Sequence, residues 1–199
     1  MNLEGNNIIQ TGGDIKAETV FFDAVKNVDY QSQDNEINTI GANIDTGDFT
    51  FTSNEAISIS KIISGGSVTI NARSIQDQTI DTDADIQATG NITLNANQIG
   101  SEANDLDIGN NANLTASAED SIYLQGTGNI TLTDITSTND IIIKTSEGDL
   151  TVQKITTEKS VALSSEAGAI KKADNASILA DSLTVKAKTG IDIATQAEN

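Results

Sequence analysis

Cysteine, proline, histidine and tryptophan are all missing from this chain of 199 residues. Without cysteine there is no disulfide framework and no thiolate metal site. Without histidine there is no imidazole base, and Arg73 is the only arginine, so the common nucleophile and base sets lack their parts. The reading therefore expects no enzyme and no catalytic residues. The lack of proline fits a fold in which nearly every strand is interior and needs its N–H for a ladder.

Aromatic residues are scarce at 3%, and the four Phe and two Tyr all lie before residue 124. The core must then be thin and built from Ile, Leu and Val. No stretch approaches 18 consecutive apolar residues, so no membrane insertion is expected. The first residues, MNLEGNNIIQTGG, lack the basic and apolar regions of a signal peptide. Bases are also few. Eleven Lys and Arg stand against 29 acids for a formal net charge of -18, which makes nucleic acid and anionic lipid poor partners. The imbalance is concentrated before Asp134, with 19 acids against 4 bases, while the remainder has 10 against 7.

What the chain does have is a repeat. Gly128 to Glu147 and Gly148 to Ala167 superpose without a gap, setting Ile130 on Leu150, Thr131 on Thr151, Leu132 on Val152, Ile135 on Ile155, Ile141 on Val161 and Ile143 on Leu163. Apolar and polar residues alternate inside each block, which sends every second side chain to one face of a strand. A unit this short buries its aliphatics only by stacking on a copy of itself. The pattern predicts an all-β chain, a parallel β-solenoid (right-handed β-helix) with about 20 residues per coil.

Coil starts fall at Gly47, Gly66, Gly90, Ala112, Gly128, Gly148, Gly168 and Thr189. Glycine at these corners would allow positive φ, with a neighbouring Asn or Asp satisfying the local backbone. A second column, Ile122, Ile141, Val161 and Leu183, keeps the same period. Residues 47–199 are expected to form regular β-solenoid repeats. Residues 1–46, with a dense apolar stretch between Ala17 and Tyr30, are expected as irregular N-terminal coils or a cap. Lys172 falls in an inward slot, which predicts an irregular coil after Gly168.

Two surface features stand out. Thr50, Thr69, Thr93, Thr115, Thr131 and Thr151 each sit between inward residues and should stack into an outward column. Thr52, Asn71, Asn95, Ser117, Thr133 and Gln153 should form a second rank. Such a face resembles that of ice-binding solenoids, although Thr also suits exposed strand positions for reasons of β-propensity alone. In the long coil from Gly66, Asp81, Asp83 and Asp85 alternate, and on a strand they would present three carboxylates to a calcium ion. The calcium-loop motifs fail, since the sixth and twelfth places counted from Asp81 hold Ile86 and Ile92, and the same run reads first as a solvated loop. No other cofactor is expected.

The G-x-φ-T-φ coil start (φ here an apolar residue) at Gly47–Phe51, Gly66–Ile70, Gly90–Leu94, Gly128–Leu132 and Gly148–Val152 resembles the central repeats of filamentous-haemagglutinin-like exoproteins. These are large bacterial surface proteins of two-partner secretion. The resemblance covers about three quarters of the chain, from Gly47 on. That family's secretion domain carries Asn-Pro-Asn motifs, and this chain has no proline, so the resemblance is to the shaft. It implies a secreted or cell-surface location and a rod segment of an adhesin or effector-presenting filament. The implied partners are the remainder of a longer chain, end-to-end copies, or a cell-surface protein or glycan. An ice-binding solenoid and a carbohydrate-active β-helix are the alternatives.

Overall fold

The structure is a computed structural model and describes residues 1–193. It contains strands and turns, with no helix among the described residues. All ladders between strands are parallel, as a solenoid requires, and they form two sheets.

The first sheet runs through Asn2–Gly5, Lys16–Ala24, Glu36–Ile44, Ala56–Ser64, Ile86–Ala88, Leu106–Ile108, Ile122–Gly126, Ile141–Thr145, Ser160–Ser165 and Ser182–Ala187. Two short strands, Ser74–Asp77 and Gln98–Ile99, lie beside this path. The second sheet runs through Ile8–Ile9, Val28–Tyr30, Phe49–Thr52, Val68–Asn71, Asn91–Ala96, Ala112–Ala118, Ile130–Ser137, Leu150–Thr156, Ala169–Leu179 and Gly190–Asp192. The chain alternates between the two sheets, so each coil lies on the one before it. Ten strands in the second sheet, at about 4.8 Å each, give a rod roughly 45–50 Å long.

The repeat pairs as its alternation dictates. Ile130 opposes Leu150 and then Ile170, and Ile122, Ile141, Val161 and Leu183 stand in one file of the first sheet. Between the sheets the inward residues make one continuous core from Val20 to Ile178. Its aliphatics are almost all fully buried, and each is worth about 1.5–3 kcal/mol relative to exposure.

The sheet order has no break at Gly47, and the segment 1–46 carries one register shift, between Ile40 and Gly41. Its strands enter the same two sheets, with Phe22 beneath Ala42 and Val28 beneath Phe49. The dense apolar stretch resolves into two strands whose Phe22 and Tyr30 pack with Phe49 and Phe51, ring centroids 5.1 to 6.5 Å apart. The coil after Gly168 is irregular as expected. Its register shifts opposite Val152 and Lys154, Asn175 takes a φ of 58°, and Lys172 is exposed beside Asp192.

The corners hold by a different device from the one the sequence suggests. Of the coil-start glycines Gly47, Gly66, Gly90, Gly128, Gly148 and Gly168, only Gly148 has positive φ, at 79°. The others are glycine because each turn passes too close to the turn beneath to admit a Cβ. At Gly168 the added carbon would overlap the backbone of Gly148. The Asn and Asp side chains serve the next coil, not their own. Asn27 Oδ1 accepts from Asp48 N (3.0 Å), Asp48 Oδ1 from Ser67 N (2.7 Å), Asn110 Oδ1 from Asn129 N (2.8 Å), Asn129 Oδ1 from Asp149 N (2.8 Å) and Asp149 Oδ1 from Ala169 N (2.7 Å).

Buried hydroxyls repeat the device at the strand ends, where Ser64, Thr145 and Ser165 donate to the carbonyls of Gly47, Gly128 and Gly148. Gly168→Ala should therefore cost about 1–3 kcal/mol through overpacking. Gly190→Ala, where the added carbon meets nothing, should cost far less. Urea midpoints of the two variants check this.

Candidate metal centre

In the first sheet the strands Glu36–Ile44 and Ala56–Ser64 are nine residues long and continuous. In the next two coils the corresponding strand is interrupted. The chain leaves the sheet after Asp77 and rejoins it at Ile86, then leaves after Ile99 and rejoins at Leu106. Gly100, with a φ of 63°, opens the second excursion. The two excursions are tied together by Asn104 Nδ2, which donates to Thr79 O at 3.1 Å.

Three carboxylates meet where these excursions leave and rejoin. Asp77 stands at the head of the first, in the file that holds Ile40 and Ile59 in the preceding coils. Asp85 stands at its foot, held by Ile62 N donating to Asp85 O at 2.6 Å. Asp107 follows the second excursion, between the buried Leu106 and Ile108. Its N–H donates to Asp85 Oδ2 at 2.9 Å, and Asp85 N donates to Asp107 O at 3.0 Å. One oxygen from each of Asp77, Asp85 and Asp107 lies within 4.8 Å of the others.

The group is buried, with relative exposures of 7%, 4% and 1% for Asp77, Asp85 and Asp107. Asp77 Oδ1 accepts from Thr79 N at 2.8 Å, while Asp77 Oδ2 and Asp107 Oδ1 have no donor. Lys144 is engaged with Asp105 at 2.8 Å. Burial pushes the Asp85 carboxyl up to about 8, against the pull of the Asp107 N–H, and the Asp77 charge adds to the rise. Burial likewise pushes Asp107 up to about 7, helped by the charges of Asp77, Asp81, Asp105 and Asp83. A set of oxygens this dry and this crowded needs protons or a cation to offset its charge.

Of the residues that the sequence put forward for calcium, only Asp85 belongs here. The segment around Asp81 and Asp83 is an exposed loop and not a strand, so the alternation does not bring the three together. Asp81 accepts from the Thr79 hydroxyl at 2.7 Å and from Asp83 N at 2.7 Å, bonds that hold its carboxyl below the usual range. Asp77 and Asp107 escaped notice. The available signal was register: aligning Ser74–Asp77 on Ala56–Ile59 sets an aspartate on a buried isoleucine.

The threonine column is also rearranged. Thr50, Thr69, Thr93 and Thr115 do stack, but Thr115 then faces Asp134, and Thr131 lies over Asn113. Thr131 and Thr151 form a separate short file that ends on Lys171. The second rank contains Thr52, Asn71, Asn95 and Ser117, then Thr136 and Thr156 in place of Thr133 and Gln153. The cause is a two-residue offset of the coil at Ala112 together with an extra residue, Thr133. The column is thus two offset files, not one continuous flat face.

Fold and site together define a parallel β-solenoid with a buried tricarboxylate centre where its first sheet opens. No family model, curated protein or solved structure matches the chain.

Proposed function

We propose that this chain is a shaft segment of a secreted bacterial surface protein, a rod that holds an adhesive or effector-bearing part away from the cell. The observation that carries this reading is the unbroken stack: two parallel sheets and one core persist through successive coils. Such quasi-one-dimensional architecture suits extension, because each coil depends on its neighbours alone and length is set by the number of coils.

The charge pattern supports the same role. A net charge of -18 makes rods repel one another and stay dispersed. In the C-terminal half, bases pair with acids one coil away, as in Lys154 with Asp134 at 2.9 Å and Lys171 with Asp149. These exposed pairs add little stability but keep like charges from stacking. The partners on this reading are the remainder of a longer chain and a cell-surface protein or glycan bound by the part it carries. The shaft itself is non-catalytic.

The test is location. Antibodies against this segment should label intact cells of the organism that makes it, and protease added outside those cells should remove the signal. Labelling seen only after the cells are broken open would overturn the proposal.

A further inference from the structure

We infer that Asp77, Asp85 and Asp107 bind one calcium ion, which fastens the excursion from Gln78 to Ala84 onto the shaft. The site is distinct from the shaft reading, since it would exist whatever the rod carries.

Convergence alone would not carry this, because acidic clusters are common on a chain with 29 acids. The second observation is the state of the oxygens. Asp107 is 1% exposed and Asp77 7%, yet Asp107 Oδ1 and Asp77 Oδ2 have no donor, and one oxygen of each residue lies within 4.8 Å of one from the other two. Buried polar atoms are nearly always satisfied, and an orphaned carboxylate oxygen is the costliest exception. Among the described residues no ion pair reaches Asp77, Asp85 or Asp107.

The ligand atoms are all oxygens, and the chain has no histidine or cysteine, so the ion is a hard one. Magnesium demands near-ideal octahedral geometry and keeps several waters. A site whose carboxylates are almost closed to solvent favours calcium, which sheds water readily and accepts irregular coordination. Asp77 and Asp85 are the two ends of one excursion, and Asp107 belongs to the next coil. An ion held by all three therefore closes the loop at its neck and joins it to the neighbouring coil.

The test uses the full chain, stripped with a chelator and titrated with CaCl2 in a calorimeter. One saturable site is expected. Calcium should raise Tm where NaCl of matched ionic strength does not, and should slow proteolysis between Gln78 and Ala84 by about tenfold or more. Asp107→Asn keeps the shape of the side chain and should weaken calcium binding by about tenfold or more, while the double variant D81N/D83N should bind within about threefold of the parent.

The inference is overturned if CaCl2 gives neither saturable heat nor a Tm shift at millimolar concentration. It is equally overturned if D107N binds as the parent does, if D81N/D83N loses binding to the same degree, or if only magnesium or manganese is taken up. Should D107N not fold, the titration of the parent and of D81N/D83N still decides.

Discussion

Excision of Gly148–Ala167, one complete coil, should leave a folded and cooperative protein, with the rod shortened by about 4.8 Å. Glu147 would then join Gly168, and the coil above would settle on the coil below in the existing register. Ile170 would oppose Ile130, Leu183 would oppose Ile141, and Gly168 would take the place of Gly148 over Gly128. The lost contacts are those of one interface in a stack of equivalent ones. A cost of about 1–2 kcal/mol, or roughly 2–8 °C in Tm, is the expected scale.

Removing Gly148 to Thr157 alone should have a far larger effect. The chain would lack its return strand in the second sheet, and the files of Ile130, Leu132 and Ile135 would lose their cover. Several aliphatics exposed at about 2–5 kcal/mol each exceed the stability of a typical domain. Thermal unfolding followed by circular dichroism separates the two cases. A ten-residue deletion that melts like the parent would refute the stacked-coil account of stability.

Thermal stability of the chelated protein should fall as pH rises from 5 to 9. Asp85 is raised from 3.8 to about 8 and Asp107 from 3.8 to about 7. Between pH 4 and 8 the native state holds protons that the unfolded chain has already released, so the slope of unfolding free energy with pH is negative. The contribution is fully present below about pH 4 and is lost as pH climbs through the raised values. A loss on the order of 3 kcal/mol, or about 6–12 °C, follows once solvent relaxation around the cluster is allowed for.

The window is a clean one because the chain has neither histidine nor cysteine, the side chains that ordinarily titrate there. Melts at pH 5, 7 and 9 in the presence of a chelator provide the measurement, and D85N should flatten the profile. A Tm that holds steady or rises across this range would contradict the burial and crowding of the three carboxylates.

Much of this was legible in the residues. The alternation in Ile130–Thr131–Leu132 and its return at Leu150–Thr151–Val152 specify strand, inward face and stacking partner together, because a strand repeats every two residues and a coil every twenty. The file of Ile122, Ile141, Val161 and Leu183 and the irregularity at Lys172 follow from the same period. The register is ambiguous where the repeat is loose. Ala112-Asn113-Leu114-Thr115 fits Gly128-Asn129-Ile130-Thr131 by eye, yet Ala112 pairs with Ile130. An offset of two leaves every side chain on its own face, so alternation cannot distinguish the two registers. Gly109-Asn110, whose Asn110 caps the following coil at Asn129 N, marks the true corner, in line with Gly128-Asn129 and three residues ahead of Ala112.

The sequence by itself determined the class of fold, the period and the faces, because these depend on hydrophobic alternation and chain geometry within one or two coils. Only the tertiary structure decided which carboxylates meet. Asp77, Asp85 and Asp107 are separated along the chain by a loop and by a whole coil, and their approach depends on where two excursions leave the sheet. That is a property of neighbouring coils in contact, and side-chain alternation along any one strand carries no record of it.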